Sequence, residues 1–120
     1  MLALADLEGF SQEQVREHLV GQYTADQAVV DEYDVVVAYE HVGDYGCDSS
    51  SMFVLRHRSS GELFMVCGSH CSCMGFEDQF DLTKVTEAYL HTEFYFSCGG
   101  YDDDSARHRK VAYDYLRHAV

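Results

Sequence analysis

With 120 residues, 47% of them hydrophobic and 24% charged, the chain has the balance of a single folded domain, and no apolar run is long enough to span a bilayer. Twenty-one acids against eight Lys and Arg give a formal charge of −13, a field that repels phosphate backbones and argues against direct nucleic-acid binding. The charge is uneven: residues 1–50 hold eleven acids and one strong base, Arg16, for −10, and the other 70 residues carry −3.

The first ten residues, Met1-Leu-Ala-Leu-Ala-Asp-Leu-Glu-Gly-Phe10, contain acids and no basic stretch. They do not read as a secretory signal, so a cytoplasm with reduced cysteines is expected. Ser11-Gln-Glu-Gln14 has capping-box form, and Val15, Leu19 and Tyr23 follow at intervals of four, predicting a helix over residues 12–22. Thr24 is the expected cap of a short second helix over residues 25–32. Residues 34–40 read as a strand and 41–51 as a polar loop with Gly43, Gly46 and Asp48.

Met52-Phe-Val-Leu-Arg56 and Glu62-Leu-Phe-Met-Val-Cys67 form the expected central hairpin, with Gly61 where its turn needs positive φ. Gly68 and Gly75 are expected to turn the chain on either side of the cysteine-rich segment. Asp81 or Thr83 is then expected to cap a helix reaching about Leu90, and residues 92–97 to form an aromatic strand. The acids Asp102, Asp103 and Asp104 suit the start of a last helix, whose apolar stripe is Ala106, Val111, Ala112, Tyr115, Leu116 and Ala119. Arg107, Arg109 and Lys110 near its start are read as a solvated face. The expected fold is α+β, one domain over residues 1–120. A small antiparallel sheet of three to four strands, built on the hairpin at about 52–67, is flanked by N-terminal and C-terminal helices.

Cys67-Gly-Ser-His-Cys-Ser-Cys73 places three of the five cysteines and a histidine in seven residues. Thiolates and imidazole suit zinc, with His70, Cys71 and Cys73 as ligands and Cys98 or Cys67 as the fourth, although this spacing supplies one half of an ordinary structural site. Alternatively Cys71 or Cys73 is a nucleophile, with His70 as base and Glu77 or Asp78 orienting it. Neighbouring side chains point apart on extended backbone, so His41, His57 and His91 are also eligible bases. A third reading makes the thiols small buried packing groups.

Tyr45-Gly46, Phe53-Val-Leu55, Gly61-Glu-Leu63, Gly68-Ser-His-Cys-Ser-Cys-Met-Gly-Phe-Glu77 and Gln79-Phe80 carry a resemblance over roughly a third of the chain. They resemble a group of small uncharacterised proteins of bacteriophages and prophages with a Gly-Ser-His-Cys-Ser-Cys-x-Gly-x-Glu signature. Met74 stands where that group has an aromatic residue, Phe76 where it has leucine and Phe80 where it has tryptophan. The resemblance implies a phage origin and an intracellular setting, the host-cell cytoplasm, with no particular reaction. Together with the charge it leads to the expected function. That function is a small acidic accessory protein inhibiting a host or defence complex, in an anti-CRISPR-like or other anti-defence role, by presenting carboxylates to a basic nucleic-acid-binding surface. The expected contacts are Asp31, Glu32, Asp34, Asp44, Asp48, Asp102, Asp103 and Asp104. Tyr33, Tyr39, Tyr45 and Tyr101 serve either as anchors or as sheet packing. The alternative is a Cys/His enzyme or zinc-stabilised module acting on a host factor. The remaining expectations are no membrane partner, no cofactor or else zinc, and a monomer or small homo-oligomer.

Overall fold

A computed structural model of the chain describes residues 1–43, 49–70, 75–94 and 103–120, with residues 103–105 in backbone only. In chain order the elements are β1 (Leu2–Ala5), α1 (Gln12–Gln22), α2 (Gln27–Val30), β2 (Tyr33–His41), β3 (Ser49–His57), β4 (Leu63–His70), β5 (Thr83–Val85), α3 (Glu87–Leu90) and α4 (Asp103–Ala119). The strands form one sheet in the order β1-β2-β3-β4-β5.

The fold is α+β as expected, with five strands in place of three or four. The additional strand at the N-terminus runs parallel to β2, so the sheet is mixed. Parallel neighbours need a crossover, and α1 with α2 provides it. The Leu-Ala-Leu-Ala composition of β1 shows no alternation because all four residues are half-buried.

Ser11 accepts the Gln14 N–H at 3.2 Å and Gln14 Oε1 accepts the Ser11 N–H at 2.8 Å, completing the capping box of α1. Asp26 rather than Thr24 caps α2, its carboxylate accepting the Ala28 N–H at 2.8 Å. Thr24 instead sits in the left-handed region with φ +57°. The hairpin forms as expected, with Gly61 at φ +74°. The helix expected from Asp81 or Thr83 is replaced by β5 followed by the single turn α3. Thr83 and Val85 pair with Met65 and Leu63, and Thr86, extended at φ −106°, caps α3. Residues 92–94 form no strand, and 95–97 lie outside the described residues.

Two cores lie on the two faces of the sheet. Val15, Leu19, Tyr23 and Val30 from the crossover helices pack on Val35, Ala38, Phe53, Leu55 and Val66. Leu90, Ala112 and Leu116 pack on Val37, Tyr39, Met52, Val54 and Met65 on the opposite face. Val111, expected on the inward stripe of α4, is exposed, as are Ala106 and Ala119. Tyr33 and Tyr39 are buried, so neither is a surface anchor; Tyr45 and Tyr101 lie outside the described residues.

A β-bulge at Val35/Val37 inserts one residue into β2. Before it, odd-numbered Tyr33 and Val35 face α1; after it, even-numbered Ala38 and Glu40 do. The Gln12 carboxamide holds the free edge there: Nε2 donates to Val35 O at 2.6 Å and Oε1 accepts the Val35 N–H at 2.8 Å. Gln12→Ala leaves both main-chain groups without that partner and is expected to cost about 1–2 kcal/mol, read from the urea unfolding midpoint.

Candidate functional site

The crossover segment carries the acidic surface. Asp6, Glu8, Glu13, Glu17, Asp26, Asp31, Glu32 and Asp34 are all exposed, and Arg16 is the one strong base in residues 6–34, so eight acids and one base give −7. Glu13, Glu17 and Asp31 border one depression with Arg16, Gln27 and Arg58. Asp34 has a different role from its neighbours. Its Oδ1 accepts from Arg16 at 3.1 Å and from Arg58 at 2.9 Å, while Arg58 also donates to Asp31 O at 2.9 Å. Asp34 is therefore a clamp between α1, the α2–β2 turn and the hairpin, leaving Asp31 and Glu32 as the outward carboxylates of that edge. Asp103 and Asp104 begin α4; Asp44, Asp48 and Asp102 lie outside the described residues.

The opposite helix layer is close to neutral. Arg107, Arg109, Lys110 and Arg117 against Asp103, Asp104 and Asp114 give α4 a charge of +4 − 3 = +1, and Glu87 of α3 offsets it. Since α1 and α4 cover opposite faces of the sheet, the negative charge is concentrated on the α1 side.

One acid counted in the surface field is not on the surface. Glu40 is 5% exposed, and its Oε1 accepts from the Tyr23 hydroxyl at 2.5 Å and meets His18 Nε2 at 2.8 Å. The Tyr23 ring stacks on Phe76 at 4.8 Å and meets Phe53 edge-on at 5.3 Å; Phe10 packs against the His18 ring at 6.0 Å. Burial, then the Glu40 charge and its hydrogen bond, push the Tyr23 phenol well above its ordinary value. Sequence reading missed this network because Glu40 looked solvent-facing in an uninterrupted strand; Tyr23 in phase with Val15 and Leu19 was its one visible sign.

His70 ends β4 on the α1 side, edge-on to Phe76 at 4.4 Å. Cys67 lies three residues earlier in the same strand, so alternation turns its side chain to the α4 side, away from His70. This removes Cys67 as the fourth member of a site with His70. Cys67 is also an exposed residue rather than a buried packing group, yet the surrounding groove shields the sulfur and burial pushes the thiol above its ordinary value. Glu77 turns back to accept the Gly75 N–H at 2.9 Å, and Asp78, at φ +60°, donates its N–H to Thr24 Oγ1 at 3.3 Å. Gly68 makes no turn; it is a β4 residue on which Ser51 and Phe76 close tightly. Cys71, Cys73, Cys98 and Cys47 lie outside the described residues. Among the described residues no group of three or more His, Cys, Asp or Glu is placed to hold a metal ion, and no helix is long and apolar enough to cross a membrane.

Compared with family models, curated proteins and solved structures, the chain matches none of them.

Proposed function

We propose that the protein is a small acidic accessory protein of phage type that docks its crossover face on a basic, nucleic-acid-binding surface of a host or defence complex and inhibits it. The observation that supports this reading is the concentration of charge: residues 6–34 carry −7 on one face of the sheet, while α4 on the other carries +1. Such a face steers the molecule in one orientation and presents carboxylates where a phosphate backbone would lie. Glu13, Glu17, Asp31 and Glu32 are the central contacts. Their main-chain positions are held by α1, α2 and the Asp34 clamp, so docking orders side chains rather than backbone.

The test is affinity capture from a bacterial host lysate with the wild-type chain, mass-spectrometric identification of the partner, and titration of the purified pair. Reversal of Glu13, Glu17, Asp31 and Glu32 to lysine is expected to weaken binding at least about a hundredfold, or about 2.7 kcal/mol, with wild-type binding falling steeply as salt is raised. Cys71→Ser and Cys73→Ser are expected to bind as wild type. A charge-reversed protein that stays folded and binds normally would overturn the proposal, as would folded cysteine variants that lose binding or inhibition.

A further inference from the structure

Among the described residues, the sheet edge at Cys67 has no main-chain neighbour on its outer side, and it adjoins a groove. The His57 N–H donates to Glu62 O at 2.8 Å, so antiparallel alternation makes Phe53↔Val66 and Ser51↔Gly68 hydrogen-bonded pairs. Leu63, Met65, Cys67 and Ser69 then turn their N–H and C=O groups away from β3. On that outer side Leu63 faces Val85 and Met65 faces Thr83. Two positions further along, the Gln79 carboxamide takes the place of a strand, accepting the Ser69 N–H at 2.8 Å and donating to Ser69 O at 2.9 Å. Continuing the register would set Asp81 opposite Cys67. The chain leaves the sheet there, with Phe80 and Leu82 packed into the α1-side core, and among the described residues no main-chain group meets Cys67.

The other open stretches of the inner strands are met by side chains: Gln12 closes the edge at Val35, Arg16 donates to Tyr33 O, and Gln79 closes Ser69, while β1 and β5 form the outer edges of the sheet. At Cys67 the edge adjoins a groove of about 570 Å³ bordered by Met65, Asp81, Thr83, Val85 and Tyr89. Met65 and Val85 line it with apolar atoms, and Tyr89, 42% exposed, stacks on Phe94 at 5.1 Å.

We propose that this groove binds an extended peptide segment of a partner protein, one residue of which takes the place opposite Cys67 and lays an apolar side chain between Met65, Val85 and Tyr89. The N–H and C=O of one extended residue are matched by the C=O and N–H of one residue in another extended chain, which is the pairing that strand addition uses. Because Thr83 and Gln79 bracket this position, the segment is short and enters as a loop tip or chain end. This surface is separate from the acidic face and does not depend on it.

The probe is the uncharged pentapeptide Ser-Thr-Leu-Thr-Ser, N-acetylated and C-amidated, titrated into the full ¹⁵N-labelled chain. Saturable amide shifts are expected at Met65, Cys67, Thr83 and Tyr89, with a Kd of about 1 mM. N-methylation of the central leucine amide is expected to weaken binding at least about tenfold, and Tyr89→Ala about fivefold. Cys67→Ser, which keeps the main chain, is expected to bind as wild type. The proposal fails if no saturable shift reaches Cys67, if the N-methylated peptide binds equally well, or if a folded Cys67→Ser protein loses binding.

Discussion

Tyr23→Phe is expected to lower the free energy of unfolding by about 2 kcal/mol, because it removes a hydrogen bond to a charged acceptor and leaves the buried Glu40 carboxylate with His18 as its remaining described partner. Glu40→Ala is expected to cost more, about 3 kcal/mol, since it leaves the Tyr23 hydroxyl and the His18 imidazole without their acceptor and opens space beneath α1. Combining Tyr23→Phe with Glu40→Gln should cost less than the sum of the two single changes, because the second then removes a charge already short of a donor. Urea unfolding of the four proteins measures the coupling; strict additivity would show that the groups act independently. The same network predicts an alkaline limit. The folded-state Tyr23 phenol is held above its ordinary 10.0, chiefly by burial and next by Glu40. The unfolded chain ionises at the ordinary value while the folded chain holds its proton, so this contribution is complete below about pH 10 and is lost as pH rises beyond it. Tyr33, raised by burial and by Glu32 and Glu62, acts in the same direction, so Tyr23→Phe should flatten the decline without abolishing it.

Gly68→Ala is expected to destabilise the protein by about 2–3 kcal/mol, a large effect for a single methyl group. A Cβ there would stand 2.6 Å from Ser51 Oγ, 2.9 Å from Phe76 Cδ1 and 3.2 Å from Gln79 Oε1. Those three atoms belong to β3, to the aromatic stack over Tyr23 and to the side chain closing the Ser69 edge, so relief at one disturbs the others. Gly21→Ala is the internal control. It lies near the exposed end of α1 with no atom within 4 Å of the added methyl, and should stabilise by about 0.5–1 kcal/mol through helix propensity alone. Calorimetric midpoints moving in opposite directions would confirm that steric closure, rather than glycine content, sets the requirement at Gly68.

The features legible beforehand were local ones. Ser11 and Gln14 lie three residues apart and must meet if a helix forms, so the start of α1 followed from four residues. Gly61 between two apolar alternating runs likewise determined the central hairpin. The acidic surface was legible as composition, but its arrangement was not: Asp34 acts as a clamp because Arg58 returns to it from the hairpin, 24 residues away, and no spacing rule connects them. The misread segment at residues 81–90 had a cap at Thr86, but Thr83 and Val85 find their partners in β4, a distant strand.

Amino-acid order alone determined the charge of −13, the capped helix, the hairpin and the α+β class, since each follows from total composition or from interactions within a few residues. The tertiary structure decided which groups face one another. One inserted residue at the Val35/Val37 bulge reverses the phase of β2, turning Glu40 from an expected surface acid into the buried acceptor of His18 and Tyr23. Three consecutive valines carry no mark of where that insertion falls. The pairing with β3 and the Gln12 carboxamide place it there, both contacts between residues remote in the chain.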